Sequence, residues 1–307
     1  MLLNSLRLAC RPVLLCYNES MKKKIFLIVF ALVLFIQPSF AANRFYGLTK
    51  KLNAIAYGSY GRKVMPGYSI GISFIDLRTG YKASVRGNKI FPAASIIKVP
   101  VMAYLFYASD KKLLDLGGQI HFTNADKLPG AGVLQWMQPN AYTMWNLCRL
   151  MISISDNTAT RLLVRRAGKA KINAYCRKIG MRSTLLLDET ALVEMPCRNY
   201  NRTTANDIAL LLSRIQRGVG FSKYARSDML KFMRNQRYTF GIPKVLPKGF
   251  TCANKTGNLT NVLHDSAIVY SKRGTYVLVV FTKGFKRDRD ARIVINRVSS
   301  AVASYYR

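Results

Sequence analysis

Segments with the composition of β-strands occur near the two ends of this chain, and a long helical stretch separates them. Residues 68–75 are rich in β-branched and aromatic side chains, and residues 81–85 alternate as a second strand after a Thr-Gly turn. Three more strand-like segments lie near the C-terminus, at 250–255, 264–270 and 275–283. The early pair predicts a hairpin, and the short connections between the late segments predict antiparallel neighbours. The sheet must therefore be assembled from both ends of the chain.

The stretch between the two groups of strands is mainly helical in pattern. Segments with apolar residues at helical spacing are 96–107, 157–166, 171–179 and 205–215, and 45–57 and 287–305 flank the strands. Proline and glycine mark loops at 123–142 and 181–202. The sequence predicts an α/β fold in which helices flank an antiparallel sheet of about five strands drawn from 45–90 and 245–307. An all-helical lobe at 91–244 should meet this sheet at a cleft.

The N-terminal residues have the composition of an export signal. Met21 begins a Met-Lys-Lys-Lys segment, residues 25–36 form an unbroken apolar run of twelve, and Ser39-Phe40-Ala41 offers small residues for a signal peptidase. A run of twelve is too short for a bilayer, which needs about 20 apolar residues. We expect residues 1–41 to be a leader whose true start is Met21. Cleavage after Ala41 would leave residues 42–307 as one periplasmic or secreted catalytic domain.

The chain is strongly basic, with 48 Lys and Arg against 14 Asp and Glu and a formal charge of +34. Loss of the leader would leave 43 basic and 13 acidic residues, so the excess belongs to the mature domain. The basic residues are spread, no run of six occurs, and no nucleic-acid-binding motif accompanies them. We therefore expect no nucleic-acid partner, and electrostatic association with an anionic envelope is a hypothesis.

Four cysteines would remain after export, and they allow up to two disulfides in three possible pairings. These residues are Cys148, Cys176, Cys197 and Cys252. The alternative is that they are buried free thiols. Only two histidines occur, and no CxxC spacing is present. We therefore expect no metal and no cofactor, and we expect a monomer.

Ser95-Ile-Ile-Lys98 opens a predicted helix and follows Phe91-Pro-Ala-Ala94. Residues three apart share a helix face, so the Lys98 amine can approach the Ser95 hydroxyl. A serine hydroxyl is a weak nucleophile until a neighbouring base takes its proton. The spacing alone is weak evidence, because a surface serine and lysine match it as well, and so does Ser20-Met-Lys-Lys23 in the leader.

Ser155-Asp156-Asn157 lies between an apolar run and a helix that begins at Asn157. Serine, aspartate and asparagine all cap helices well, but one cap needs only one of them. We therefore expect the Ser155 hydroxyl in the cleft, where it passes a proton to the leaving nitrogen. Asn157 would hold an amide of the substrate.

Lys255-Thr256-Gly257 ends a predicted strand. The ammonium of Lys255 and the hydroxyl of Thr256 can bind a substrate carboxylate, and Gly257 allows a ligand backbone to approach. A strand end followed by a turn accounts for the same three residues without any function.

Taken in order, the three motifs resemble the SxxK, SDN and KTG signature of class A β-lactamases and penicillin-binding proteins. The matching segments are 91–100, 150–160, 201–212 and 255–265, and the resemblance extends over residues 45–305. It implies a β-lactamase/transpeptidase-like fold and acyl transfer, in which Ser95 attacks a β-lactam or D-Ala-D-Ala carbonyl. The backbone N–H groups of Ser95 and Asn258 would then form the oxyanion hole.

The resemblance also implies where β-lactamases and peptidases differ. Class A β-lactamases carry an Ω-loop glutamate that activates the hydrolytic water, and counting back from Thr203 places Glu189 there. Counting forward from Ser155 overshoots Glu189 by two residues, so the match needs a short deletion. The alternative is that Glu189, like its neighbours Asp188 and Glu194, is only a solvated acid of the loop. The asparagine that shares this water in the family is replaced by Val193.

The ion pair that holds the family's Ω loop is also missing. Its two positions are occupied by Leu187 and Arg202, which cannot pair, so another contact must hold the loop, and Cys197 is a candidate. His264 falls where many relatives carry an arginine for the substrate carboxylate, which makes it a binding candidate, or else a turn histidine.

Three functions are compatible with these residues. The first is a serine hydrolase that opens β-lactam rings through a Ser95 acyl-enzyme, catalysed by Lys98, Ser155 and Glu189, and thereby gives antibiotic resistance. The second is a penicillin-binding D,D-carboxypeptidase, transpeptidase or esterase that acts on peptidoglycan stem peptides. The third is a non-catalytic basic protein that binds the envelope.

Overall fold

A five-stranded antiparallel sheet is built from both ends of the chain. The computed structural model describes residues 45–58, 67–189 and 200–307. The strands in chain order are β1 (Ser69–Asp76), β2 (Lys82–Val85), β3 (Phe91–Pro92), β4 (Gln119–His121), β5 (Ala141–Thr143), β6 (Arg202–Thr203), β7 (Thr251–Leu259), β8 (Val262–Ser271) and β9 (Gly274–Lys283). The large sheet has the order β2-β1-β9-β8-β7, with every pair antiparallel. The predicted fold class is confirmed, but the prediction that the lobe at 91–244 is all-helical is wrong, because β3 pairs with β6 and β4 with β5 inside it.

Helices cover both faces of this sheet. They are α1 (Leu48–Gly58), α2 (Lys98–Asp110), α3 (Met144–Ser153), α4 (Asn157–Ala167), α5 (Lys169–Lys178), α6 (Ala205–Arg217), α7 (Lys223–Arg234) and α8 (Asp288–Ala303). The sequence prediction omits α3 and α7. Each begins at a side-chain cap, Thr143 for α3 and Ser222 for α7, and each buries an apolar face. Caps of this kind are a start signal that the sequence contains.

Two apolar cores lie on opposite sides of the sheet. One packs α1 and α8 against side chains such as Ile72 and Phe74. The other packs the helical lobe against the opposite face around α2, whose thirteen residues include ten that are buried. A helix that is apolar on all sides must lie inside the protein. Because α2 is enclosed, Lys98 at its first position is carried into the interior.

The strand that carries the Lys-Thr-Gly motif is longer than predicted. β7 pairs with β8 from Thr251 to Leu259, and the reversal comes at Asn261, which has a φ of 60°. The motif therefore lies within an edge strand, and the prediction that the strand ends at Lys255 is wrong. Pairing with a long neighbouring strand outweighs the weak strand preference of Gly257 and Asn258.

Three of the four cysteines of the predicted mature domain are described, and all three are free thiols: Cys148, Cys176 and Cys252. Burial raises the pKa of Cys176 and of Cys252 to about 12, so neither is a reactive thiolate at neutral pH. Cys197, Val193, Glu194 and the predicted leader lie outside the described residues. In the part of the chain that the structure describes, no helix is long and apolar enough to cross a membrane.

Candidate active site

A cleft of about 880 Å³ opens where β7 faces the helical lobe. Its lining comes from the three motifs, the loop at 129–131 and the start of α8. The lining residues are Ser95, Pro129, Gly130, Ala131, Ser155, Asn157, Tyr238, Phe240, Thr256, Asn258, Leu259, Thr260, Asp288 and Arg292. The fold therefore brings residues that lie far apart in sequence to one surface.

Ser95 lies in a 3₁₀ turn, Ala94–Ile97, that leads directly into α2. It is partly exposed to the cleft, whereas its neighbours in the turn are buried. β7 packs closely against this turn, and a Cβ on Gly257 would lie 3.1 Å from the side chains of Ala94 and Ile96. Glycine at 257 therefore makes room for the turn that carries the nucleophile, and the approach of a ligand backbone there stays a prediction.

The Ser-Asp-Asn motif divides into one structural and two cleft residues. Asp156 caps α4 through Ala159 N at 2.8 Å and also accepts hydrogen bonds from Val133 N at 2.7 Å and Leu134 N at 3.0 Å. Its carboxylate thereby ties α4 to the loop beside the cleft. Ser155 is held at a φ of 59°, a left-handed conformation that is strained for a side-chain-bearing residue. This conformation presents Ser155 and Asn157 to the cleft.

Two buried lysines meet at the Ser155 hydroxyl. Lys98 Nζ lies 3.1 Å from Ser155 Oγ, and Lys255 Nζ lies 3.0 Å from the same oxygen. Lys98 Nζ also donates to the Ser155 carbonyl at 2.6 Å and to Asn157 Oδ1 at 2.8 Å. Among the described residues, no hydrogen bond joins Lys98 to Ser95. Lys98 is thus placed one helical turn from the nucleophile and is held by the Ser-Asp-Asn motif.

The electrostatics of this cluster favour an uncharged Lys98. Burial lowers the pKa of Lys98 well below its usual range, the nearby Lys255 cation lowers it further, and Asp156 partly opposes both. Burial lowers the pKa of Lys255 to about 7, with Asp265 opposing the shift. Two buried amines in contact with one hydroxyl cannot both hold a proton at low cost. The lowered pKa favours the uncharged amine at Lys98, with Lys255 as the proton-bearing partner.

Asp265 completes the cluster, although none of the three motifs contains it. Its carboxylate accepts hydrogen bonds from Ile242 N at 2.7 Å, Ser266 N at 2.9 Å and Asn254 Nδ2 at 3.1 Å. Burial raises the pKa of Asp265 to about 7, although these donors and Lys255 oppose the rise. An acid inside a strand whose residues are mostly buried is a sequence signal that could have identified it.

The far end of the cleft is formed by Asn258 and the first turn of α8. Thr256 and Asn258 alternate along β7 and both line the cleft. The Asn258 amide donates to Asp288 Oδ2 at 3.0 Å, and the Arg292 guanidinium lies 4.6 Å from the centre of the Phe240 ring. Tyr238, Phe240 and the loop at 129–131 are cleft residues that carry no motif, and only the fold identifies them.

His264 is not a cleft residue. It is fully buried on β8, where its Nε2 lies 2.8 Å from the Pro92 carbonyl and its Nδ1 accepts from Thr282 N at 3.2 Å. The ring packs against Phe91 and Phe281. Burial lowers the pKa of His264 to about 4, so the ring is uncharged at neutral pH. The prediction that His264 binds a substrate carboxylate is wrong, because both ring nitrogens are engaged inside the protein.

Glu189 also lies outside the lining of the cleft. Its carboxylate is paired with two arginines of α4, at 2.8 Å from Arg165 Nε and 3.4 Å from Arg161 Nε. Arg165 extends the cluster to Asp126 Oδ1 at 2.9 Å. In this structure the carboxylate predicted to activate water is thus held by cations on the flank of α4.

The segment leading to Glu189 is held by amide side chains instead of the family's ion pair. The Asn201 carbonyl oxygen accepts from Leu187 N at 2.6 Å and Asp188 N at 2.9 Å, and its amide donates to Asp188 O at 3.0 Å. Asn173 makes a similar pair of bonds with Leu186 at 2.8 Å each. These contacts fasten residues 186–188 through uncharged amide hydrogen bonds.

The motif geometry agrees with comparisons to known proteins. The sequence model of the β-lactamase enzyme family matches residues 47–306, which is most of the chain. The chain belongs to the β-lactamase enzyme family. Its curated relatives include β-lactamase CARB-3 of Pseudomonas aeruginosa, 25% identical over 240 residues that cover 76% of this chain and 80% of the relative. The chain is a class A β-lactamase-like hydrolase.

Solved structures extend the likeness to penicillin-binding proteins. A point mutant of PBP-A, solved as an acyl-enzyme complex with penicillin G, is 30% identical and superposes with a TM-score of 0.76. The alignment covers 84% of this chain and 96% of PBP-A. A β-lactamase of Sphaerobacter thermophilus is 28% identical with the same TM-score and the same coverages. The likeness thus spans proteins named as β-lactamases and one named as a penicillin-binding protein.

Proposed function

We propose that this β-lactamase family member opens β-lactam rings through an ester on Ser95 and hydrolyses that ester slowly. The observation that carries the proposal is the meeting of Lys98 and Lys255 at the Ser155 hydroxyl, 3.1 and 3.0 Å away, beside a cleft that exposes Ser95. This cluster contains a base, a proton carrier and a cation. Acyl transfer to a serine needs a base for the nucleophile and a proton donor for the leaving nitrogen, and the cation can bind a substrate carboxylate.

In the acylation step, Ser95 Oγ attacks the lactam carbonyl while the free amine of Lys98 takes its proton. The Ser155 hydroxyl then donates a proton to the ring nitrogen as the C–N bond breaks, and a neighbouring lysine replaces that proton. The left-handed conformation of Ser155 supports this role, because it aims the hydroxyl between the two amines. Backbone N–H groups of Ser95 and Asn258 would stabilise the oxyanion.

Substrate recognition in this proposal uses the two ends of the cleft. The side-chain oxygen of Asn157 accepts a hydrogen bond from Lys98, and its side-chain amide donates to Pro129 O at 2.9 Å. These two bonds fix Asn157 beside the position proposed for the substrate amide. Thr256 and the Lys255 ammonium behind it would bind the substrate carboxylate. No metal or cofactor takes part in these steps.

Slow deacylation follows from the position of Glu189. Hydrolysis of the ester needs a base for the attacking water, and the arginine-bound carboxylate of Glu189 lies outside the cleft lining. The cleft lining does contain another carboxylate, that of Asp288, but this group already accepts a hydrogen bond from the Asn258 amide. The acyl-enzyme should therefore accumulate before it clears.

A penicillin-binding D,D-peptidase or esterase is the second candidate. The same observation on Glu189 favours it, together with the 30% identity to PBP-A over 96% of that protein. In that case the penicillin adduct on Ser95 would persist, and a peptidoglycan stem peptide ending in D-Ala-D-Ala would be the natural substrate.

Export and envelope association are further parts of the proposal. The charged start at Met21, the apolar run and the Ser39-Phe40-Ala41 segment support cleavage after Ala41 and a periplasmic or secreted location, where the enzyme could give antibiotic resistance. Mass analysis of the protein recovered from cells should find an N-terminus at Ala42. The excess of 43 basic over 13 acidic residues in 42–307 supports association with an anionic envelope, and retention on anionic vesicles should then fall as salt rises.

Substitution of the nucleophile tests the proposed function. Ser95→Ala should lower benzylpenicillin consumption by about 10⁴-fold or more, because removal of a catalytic nucleophile costs effects of that order. Ser300→Ala, at an exposed position of α8, is the matched control and should leave the rate unchanged. Full activity of Ser95→Ala would contradict the assignment.

A further inference from the structure

A second cavity, of about 500 Å³, lies between the β1–β2 hairpin and α6, on elements that do not bear the catalytic motifs. Its lining includes three basic side chains, Lys82, Arg214 and Arg217, and it includes no carboxylate. The rest of the lining is mainly hydroxyl, amide and small apolar groups: Ser73, Ile75, Gly80, Ala83, Ser84, Asn206, Leu210, Ser213 and Val219. An uncompensated basic cavity of this kind is chemically suited to an oxyanion.

The hairpin wall of this cavity is polar because of the strand register. Ser73 pairs with Ser84 and Ile75 with Lys82, so these four side chains share one face of the two strands. On the opposite face the hairpin is apolar and belongs to a core. A sheet face covered by a helix is normally apolar. The polar face beneath α6 is therefore unusual for a purely structural contact.

The cavity wall formed by α6 also follows from a regular residue spacing. Asn206, Leu210, Ser213, Arg214 and Arg217 recur at a spacing of three and four residues, which places them on one stripe of α6. Arg214 and Arg217 are like charges at i and i+3, an arrangement that is unfavourable without a counter-charge. The buried apolar residues of α6, such as Ile208 and Leu212, lie at other positions.

The surroundings of Arg214 give the strongest evidence that this cavity binds an anion. The Nε of Arg214 is buried without a hydrogen-bond partner, and none of the ion pairs in the described ranges involves Arg214, Arg217 or Lys82. Arg217 donates to Leu77 O at 3.0 Å, which positions its guanidinium. The hydroxyls of Ser73 and Ser213 make no hydrogen bond with any described residue and are available as donors. The Arg214 side chain is partly exposed, but its Nε–H is removed from water without a partner, which is costly until an anion satisfies it.

We propose that this cavity binds a phosphate group, held by Arg214 and Arg217 with hydroxyl donors from β1 and α6. Guanidinium groups match the planar pairs of phosphate oxygens, and the cavity offers donors and no acidic side chain that would repel an anion. The phosphate can belong to a small soluble phosphate ester or to a phospholipid headgroup, since both present the same oxyanion.

Calorimetric titration with inorganic phosphate at constant ionic strength tests this site. The parent chain should bind one phosphate, and Arg214→Gln combined with Arg217→Gln should weaken binding by about tenfold or more, as expected for the loss of charge-assisted hydrogen bonds. The control combines Arg149→Gln and Arg297→Gln, two exposed arginines outside the cavity that remove the same charge. It should bind within about twofold of the parent chain, on the additivity of distant sites.

Two outcomes would overturn the proposal: no saturable one-to-one binding by the parent, or equal weakening in the cavity and control variants. Circular dichroism and benzylpenicillin acylation of both variants report whether the fold is intact. A second arm uses phosphatidylglycerol vesicles against phosphatidylcholine vesicles. Retention that is lost in the cavity variant and competed by free phosphate identifies a headgroup, whereas retention equal in both variants assigns the site to a soluble phosphate.

Discussion

The acylation centre and the segment around Glu189 are held by different kinds of contact. At the acylation centre, Lys98 and Lys255 are fully buried, and hydrogen bonds of 3.1 and 3.0 Å join them to the Ser155 hydroxyl. Glu189 lies in a partly exposed cluster, where its side chain is 28% accessible and is paired with Arg161 and Arg165. The first region is a buried, hydrogen-bonded cluster, and the second is a surface ion-pair network.

The difference implies that the two half-reactions depend on unequal machinery. A buried, hydrogen-bonded cluster keeps its geometry and its shifted pKa values, because water does not screen it. A surface ion pair contributes about 0–1 kcal/mol and tolerates change. We therefore expect substitutions at the acylation centre to have large effects and substitutions at Glu189 to have small ones.

Among substitutions that leave the nucleophile in place, the largest effect should come from removing the Ser155 hydroxyl. Ser155→Ala and Ser155→Gly should each slow acylation by benzylpenicillin by about 10²-fold or more, as for loss of a general acid–base group. The pair is matched, because glycine adopts the positive φ of Ser155 without strain and alanine does not. Stopped-flow acylation rates check it, and a glycine variant that keeps the parent rate would show that only the backbone matters here.

A smaller effect is expected in the pH dependence of the acylation rate. The acylation rate should fall as the pH drops through the lowered pKa of Lys98, because the protonated amine cannot accept the Ser95 proton. Lys255→Gln removes a cation that lowers this pKa, so the pKa of Lys98 should rise and the acid limb should move to higher pH. On the acid limb, where the rate is proportional to the uncharged fraction of Lys98, a shift of one pH unit should lower the relative rate at a given pH by about tenfold.

The normalised pH profile of the acylation rate separates this effect from weaker substrate binding by Lys255→Gln. Lys244→Gln is the matched control, because Lys244 is exposed and lies outside the cleft lining. An acid limb at the same pH in the parent chain and Lys255→Gln would contradict the coupling of the two lysines.

The smallest effect should come from Glu189. Glu189→Gln should change acylation and adduct clearance by less than about threefold and lower the free energy of unfolding by about 1 kcal/mol or less, as for a surface ion pair. Asp126→Asn removes the other carboxylate bound to Arg165 and should behave alike. If Glu189→Gln alone traps the penicillin adduct, Glu189 is the deacylating base after all.

Much of the fold could be predicted because local patterns and long-range pairing agree. The early hairpin and the three late strands have strand composition, and all five join one sheet. The end of β7 could not be predicted, because Gly257 and Asn258 favour a turn locally and pairing with β8 overrides them. α3 and α7 were within reach of prediction through their caps at Thr143 and Ser222.

The candidate site could be predicted where a motif specifies the chemistry, but not where distant partners decide orientation. The structure brings Ser95, Ser155, Asn157 and Thr256 together in the cleft. His264 faces inward because Pro92 and Phe281 surround it, and no local pattern contains those contacts. Glu189 turns to arginines that precede it by more than twenty residues.

The central claim is that Ser95 acylates quickly and deacylates slowly. An intact-mass time course of the parent chain with excess benzylpenicillin, followed by peptide mapping, tests it most directly. We predict an adduct on Ser95 that reaches high occupancy early and clears more slowly than it forms, while the drug is consumed. An adduct that never clears would favour the penicillin-binding peptidase. Drug consumption without any accumulated adduct, or no adduct at all, would contradict the account.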